Sequence, residues 1–388
     1  MKTMNKSRKR AIVVGGSLGG LFAGVMLRRA GWSVDIYERS AHDLDSRGGG
    51  VVLQREVVEA FRRAGVDTTN VDLGVRSRHR IVYRRDGSVR SKQTAPQTQT
   101  SWSLIYTTLR DAFDGGYHQG KSLQKIEEDA DAKTVTARFA DGAVATGDLL
   151  IGADGNGSTV RRLLWPGVEP SYAGYLAWRG LVPEDAMSPE AREGLHGDFG
   201  FANTTGSHIL GYLVPGENAD TRPGHRLYNY VWYRVADPEM LAEIMTDRDG
   251  RQRAFSMPEG KLAERWKAHV HAEAEKLLPT PFRSVVQATE EPFAQAIRDL
   301  TVERMVKGRV ALLGDAAFVP RPHTAASTSK AAANAIALGD ALGSIDDVDA
   351  ALASWEPEQL ALGWRLYRQG VSIGDHLLFH SDPGHSVG

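Results

Sequence analysis

An acid placed a fixed distance beyond a glycine turn is the first feature of this chain that could do chemistry. Glu38 ends the run SVDIYE and follows Gly20 by eighteen residues. That is close to the offset of about 20 at which an acid meets the ribose hydroxyls of a bound dinucleotide. The turn reads Gly15-x-Ser17-x-x-Gly20 within AIVVGGSLGGLFAGVMLRRAG, residues 11–31. Its outer glycines suit a tight bend and close helix–strand packing, while Ser17 keeps a Cβ near the phosphates and adds a hydroxyl that can donate to them. Two further acids, Asp154 and Asp315, end the apolar runs LLIGAD and VALLGD. An acid where a strand hands over to a helix serves either a ligand or the helix cap. The chain has no cysteine, which excludes a catalytic thiol, thiolate metal sites, iron–sulfur ligation and disulfides.

These side chains need rigid elements behind them. AIVV is apolar and β-branched, fit for a strand buried on both faces. From Leu18 onward Leu21, Val25, Met26 and Leu27 fall near helical spacing, Arg28 and Arg29 suit the last turn, and Gly31 suits the C-terminal cap. The spacing predicts strand, glycine turn, helix and second strand. The segment also has the outline of a secretory signal, because the basic MKTMNKSRKR precedes an uncharged run over 11–27. Against that stand five glycines in the run and the lack of a small-x-small cleavage site. The run is also too short for the ~20 apolar residues a bilayer requires. A signal has no use for Glu38. With 388 residues and 41% hydrophobic content, a large core spread over two or three domains is expected. Lys+Arg at 47 against Asp+Glu at 48 leaves a net charge of −1, so nucleic acid and anionic membranes are not expected partners and a soluble, cytoplasmic chain is.

Three motifs together carry a family resemblance: the turn with Glu38, GADGNGSTVR at residues 152–161, and GDAAFVPRPHTAASTSK at residues 314–330. Their order and separation resemble the flavoprotein aromatic hydroxylases, which are FAD-dependent monooxygenases. The resemblance implies an α/β fold with a Rossmann-like FAD-binding domain of glutathione-reductase type and a second, mostly β, substrate domain. The implied boundaries are 1–75, 100–172 and 290–388 for the FAD-binding domain, and 76–99 with 173–289 for the substrate-binding sheet. It assigns Gly15, Ser17, Leu18, Gly20, Glu38 and Arg39 to the nucleotide end of FAD. In the second signature Asp154 and Gly155 form the Asp-Gly pair that touches both the flavin nucleotide and the nicotinamide donor, with Ser158 and Arg161 at matching positions. Asp315 is implied to bind the ribityl chain. The loop with Pro322, Ala325 and Ala326, backed by a helix N-terminus, would face the pyrimidine end of the flavin, where reduction places negative charge. Arg47, with Val52 in GGGVVLQ (residues 48–54), matches a strand that passes beside the flavin, and Arg110 in YTTLRDAF matches an arginine near the cofactor phosphates.

The chain departs from the family where the loop after the proline usually reads G-Q-G; here Ala325, Ala326 and Ser327 occupy those positions. GYLAWRG (residues 174–180), VPRPHTAA (residues 319–326) and the Gly-Gly-Ser turn resemble a branch that contains bacterial enzymes of N-heterocycle breakdown. The activity implied is hydroxylation of an electron-rich aromatic or N-heteroaromatic ring, hydroxypyridine-like or phenolic. NADH or NADPH would reduce FAD, O2 would add to give a flavin C4a-hydroperoxide, and its terminal oxygen would attack the ring. A ring hydroxyl reacts better when deprotonated, so a nearby base is expected; His323 in the loop is the first candidate, with His208 and Tyr212 on the sheet behind it. No metal is implied, and a homodimer is the family expectation. A flavin-dependent halogenase would need a lysine and a second tryptophan that AWRGLVP lacks. A non-catalytic flavin-binding regulator, or a flavin oxidoreductase of other chemistry such as epoxidation or dehydrogenation, remains an alternative.

Overall fold

The computed structural model of the protein describes residues 8–44 and 49–380. The run AIVV forms the inner part of β1 (Arg10–Val14), buried from Ala11 onward. It pairs in parallel with β2 (Ser33–Tyr37) on one side and β10 (Leu149–Gly152) on the other. β6 (Gly116–His118) extends the sheet beyond β2, and β18 (Val310–Leu312) with the short antiparallel β17 (Val306–Lys307) extends it beyond β10, giving six strands. Both sides of this sheet are covered, as uninterrupted apolar strands require. α1 (Leu18–Arg29) buries Leu21, Phe22, Ala23 and Leu27 completely. It lies so near α9 (Ser327–Ser344) that a Cβ on Gly339 would meet the Cβ of Met26 at 3.0 Å. Trimming one such leucine to alanine typically costs about 2–5 kcal/mol. Gly31, with φ +90°, follows the helix as its spacing predicts.

A second sheet of nine strands runs in the order β15 (Ser256–Met257), β16 (Phe293–Asp299), β11 (Ser171–Pro183), β14 (Leu227–Val235), β13 (Ser207–Val214), β12 (Phe199–Thr204), β4 (Val75–Tyr83), β5 (Val89–Ser101), β3 (Gly50–Val52). Its pairings are antiparallel except that of β12 with β4, where Phe199 lies opposite Arg80 in parallel register. A turn at Asp86-Gly87 joins β4 to β5, and one at Asp141-Gly142 joins β8 (Thr134–Phe139) to β9 (Val144–Gly147). Those two strands form a small third sheet with β7 (Leu123–Asp129).

Alternation sorts the nine-stranded sheet into two faces. Leu176, Trp178, Val182, Ile209, Leu213, Tyr228, Tyr230 and Trp232 share one core with residues of α5 (Pro189–Leu195), α6 (Pro238–Ile244), α7 (Glu264–Leu277) and α8 (Thr280–Gln287). The registers place Tyr175, Arg179, Phe201, His208, Tyr212, Asn229 and Tyr233 on the other face. That face meets the loop ahead of α9 and the end of the long α10 (Val348–Phe379). The remaining helices, α2 (Arg55–Ala64), α3 (Trp102–Ala112) and α4 (Thr159–Leu164), follow β3, β5 and β10. Among the described residues no helix is long and apolar enough to cross a membrane.

Candidate active site

Each glycine of the turn has its own reason. Gly15 takes φ +106°, and a Cβ there would sit 2.5 Å from the Ala153 carbonyl oxygen, so the exit of β10 demands its absence. A Cβ on Gly20 would fall 1.8 Å from the Gly15 oxygen, so this position in the first turn of α1 must carry no side chain. Ser17 is the N-cap of α1 in extended conformation, and its hydroxyl makes no capping bond. The N–H groups of the first helical turn, beginning with the buried Leu18, are therefore left to a ligand by their own helix. Glu38 is 7% exposed; one carboxylate oxygen accepts from the Gly16 N–H at 2.7 Å and the other from the Ser40 N–H at 2.8 Å. The acid at the end of β2 is thus tied directly to the glycine turn. Arg39 beside it is exposed, and Arg47 lies outside the described residues.

Sequence reasoning missed Tyr117. Its hydroxyl donates to the Gly16 carbonyl at 2.9 Å and lies 3.2 Å from the Tyr106 hydroxyl. Arg110 covers its ring, 4.4 Å from the centroid. Burial raises the Tyr117 phenol far above its ordinary value, so it stays protonated as a donor. A lone tyrosine in the three-residue β6 carries no spacing signal.

The second and third motifs are bound to each other. Asp154 accepts from the Ser158 hydroxyl and from the N–H groups of Thr159 (2.6 Å) and Val160 (3.1 Å), at the start of α4. Ser158 itself caps that helix through the Arg161 N–H. Burial raises the Asp154 carboxyl above its ordinary value, with those donated bonds opposing the rise. Gly155 next to it has φ +74°, with open space where a Cβ would stand. Arg161 is fully buried and donates to the carbonyls of Asn156 (2.7 Å), Ala316 (2.9 Å) and Val168 (3.1 Å), which fastens the Asp-Gly loop to the Gly-Asp loop. Asp315 accepts on Oδ1 from the Ser327 hydroxyl at 2.6 Å and from the Lys330 ammonium at 2.9 Å. Ala325 adopts a left-handed φ of +50°, a conformation that glycine adopts more easily, and its carbonyl accepts from Gln54 Nε2 at 3.4 Å. Pro322 opens the short helical turn before it.

These groups fit FAD on observations of their own. The N-termini of α1 and α9, at Ser17 and Ala326, have no side-chain cap. Among the described residues Asn156 Oδ1, within the second motif, is buried without a partner, and Asp315 Oδ2 accepts no bond. No cluster of metal-ligating side chains is present among the described residues.

On the aromatic face of the nine-stranded sheet, His323 and His208 come together with ring centroids 5.9 Å apart, and Tyr233 lies 4.5 Å from His323 and 5.8 Å from His208. His323 Nε2 is 2.9 Å from the Tyr175 hydroxyl, while its Nδ1 is buried with no partner among the described residues. His208 Nδ1 bonds Asn203. Loss of solvation pushes His208 down to about 4 and His323 well below its ordinary value, so both rings are neutral near pH 7. Tyr212 stands further along the same face, edge-on to Phe199, in the cluster that Val52 of β3 packs against; burial pushes its phenol up to about 12.

Arg179 and Asn229 were not singled out in the sequence. Asn229 accepts from the Gly50 N–H at 3.0 Å, and its Nδ2 is buried with no partner among the described residues. Among the described residues Arg179 makes one long bond, to Gln295 at 3.4 Å, and leaves Nε buried and unpaired; burial raises the phenols of both Tyr212 and Tyr233, and the charge of Arg179 opposes that rise. Behind this face Arg321, 6% exposed, holds Asp299 of β16 through both carboxylate oxygens and Asp375 of α10 at 2.6 Å.

A family model described as FAD binding domain-like matches residues 172–299, the stretch from β11 to β16. The 2,6-dihydroxypyridine 3-monooxygenase of Paenarthrobacter nicotinovorans is 37% identical over 366 residues, covering 93% of this chain and 89% of that protein. An FAD-dependent urate hydroxylase of Klebsiella pneumoniae is 29% identical over 365 residues, covering 90% and 85%. The solved structure of 2,6-dihydroxypyridine-3-hydroxylase from Arthrobacter nicotinovorans superposes with a TM-score of 0.90 at 34% identity, covering 98% of this chain and 95% of that one.

Proposed function

Since this chain belongs to the FAD-dependent aromatic hydroxylases, we propose that it adds one oxygen from O2 to an electron-rich aromatic or N-heteroaromatic ring, hydroxypyridine-like or phenolic, at the expense of NADH or NADPH. The observation that carries the ring class is the set of three buried groups on the aromatic face that have no partner among the described residues: Arg179 Nε, Asn229 Nδ2 and His323 Nδ1. Two of these are donors and one is an imidazole nitrogen, set among the rings of Tyr212, Tyr233 and His208. A flat ring bearing oxygens or a ring nitrogen satisfies them; a plain hydrocarbon leaves them unpaired, at about 1–3 kcal/mol each.

FAD, when bound, supplies the electrons from the nicotinamide and the activated oxygen that no side chain carries. The protein's own residues do the rest. Glu38, the first turn of α1 and the Asp154 and Asp315 loops hold the cofactor. Phe199, Phe201 and Tyr233 exclude water and orient the ring. His323 is kept neutral by burial, and with its Nε2 hydrogen turned to the Tyr175 oxygen, Nδ1 is free to take the proton of a ring hydroxyl. Arg179, close to Tyr212 and Tyr233, stabilises the oxyanion so formed.

The test is a panel of hydroxypyridines and phenols with purified, FAD-loaded protein. At least one should stimulate NAD(P)H oxidation and yield a product heavier by one oxygen atom drawn from labelled O2. If the protein takes up FAD but no ring stimulates oxidation, the hydroxylase reading is wrong.

A further inference from the structure

We propose that Lys330 is a positioning residue for the flavin end of the cofactor, one that locks one oxygen of Asp315 so that the other is presented to FAD, where a glycine loop usually shapes the approach. The inference rests on FAD binding by this chain and not on the identity of the ring substrate.

Lys330 is the fourth residue of α9 and 2% exposed. The other buried residues of the same helix are mostly apolar, Ala331, Ala332, Ala335 and Leu338 among them, with Ser329 and Asn334 the polar exceptions. An ammonium buried there is costly unless paired. It folds back to Asp315 Oδ1 at 2.9 Å and also donates to the Phe318 carbonyl, and among the described residues Asp315 is its only carboxylate. Ser327, which stands where the last glycine of the usual loop would be, donates to the same Oδ1 at 2.6 Å. Both donors converge on one oxygen of a side chain that is 37% exposed, and Oδ2 is left for a ribityl hydroxyl. A carboxylate fixed in this way needs no reorganisation when the cofactor arrives. The left-handed Ala325 is braced separately by Gln54. Side-chain clasps thus hold the loop that glycines shape elsewhere.

The test is FAD affinity, read from quenching of flavin fluorescence on titration of apoprotein, for wild type, Lys330→Met, Asp315→Asn, the double variant and Lys330→Arg. Lys330→Met should weaken FAD at least tenfold, Lys330→Arg should recover part of the loss, and the double variant should bind no worse than Asp315→Asn alone. A lysine that merely filled space would, when replaced by methionine, weaken binding equally in the wild-type and Asp315→Asn backgrounds, and that result, or an unchanged affinity in Lys330→Met, overturns the proposal. Should Lys330→Met fail to fold, Ser327→Ala removes the other donor to the same oxygen and must still weaken FAD; unchanged affinity there overturns the proposal as well. If wild type binds FAD while no ring stimulates NAD(P)H oxidation, the hydroxylase reading falls and this inference stands.

Discussion

The Tyr175 hydroxyl lies 2.9 Å from Nε2 of His323 and joins β11 of the nine-stranded sheet to the loop that precedes α9. The same tyrosine is fully buried, beneath the guanidinium of Arg321 and against Phe379 at the end of α10. His323 therefore has one nitrogen fixed by the protein and the other available.

Replacing Tyr175 by phenylalanine keeps the ring and removes the oxygen that sets the tautomer of His323. With a hydroxylated ring substrate, kcat should fall about 10–100-fold while KM moves by less than about threefold. Steady-state kinetics decide the matter; an unchanged kcat removes His323 from proton transfer.

His208 predicts how stability depends on pH. Burial pushes it down to about 4 in the folded chain, against about 6.5 when unfolded. The unfolded chain therefore takes up a proton that the folded one refuses as pH falls below 6.5. Stability is complete above that value and is lost as pH drops toward 4, by about 1.4 kcal/mol at pH 5.5. Denaturant melts of wild type and His208→Gln between pH 7 and 5 should show the variant with the shallower fall; equal slopes would refute the assignment.

Arg161 is expected to be a stability residue. Arg161→Met leaves the carbonyls of Asn156, Val168 and Ala316 without their donor, at a combined cost of about 3 kcal/mol or more. Denaturant unfolding of the apoprotein measures this directly, and a loss under about 1 kcal/mol would mean that water replaces the guanidinium.

Ser17 separates size from chemistry at the turn. Its hydroxyl caps nothing, so Ser17→Gly should retain FAD, whereas the bulk of Ser17→Leu at the uncapped start of α1 should abolish uptake. FAD retained after gel filtration of each variant settles the point. A leucine variant that stays yellow would place the pyrophosphate away from this turn.

What the sequence disclosed was whatever repeats at fixed local spacing. The strand, the turn and α1 follow from apolar runs and glycine offsets, and the offset from Gly20 to Glu38 reappears as the bond between Glu38 and the Gly16 N–H. His323 and His208, chosen from distant segments, meet on one face. Arg179, Asn229 and Tyr117 escaped notice because their roles depend on register between strands far apart in the chain, and neither an arginine in a strand nor a tyrosine in a short one has a period to betray it. Lys330 escaped for a different reason. In an alanine-rich helix a lysine reads as a solvent-facing residue, and only the fold turns it inward.

The parallel pairing of β4 with β12 bears on how the chain is made. β4 and β5 leave the ribosome well before β12, with β6 to β10 and β11 between them in sequence. Until β12 arrives, β4 is an open edge of the kind that recruits other chains into aggregates. Its sequence, VRSRHRIVY, sets the exposed Arg76, Arg78 and Arg80 along that strand. Three like charges spaced along one strand oppose its pairing with the same strand of a second copy, one of the devices that blunt an open sheet edge.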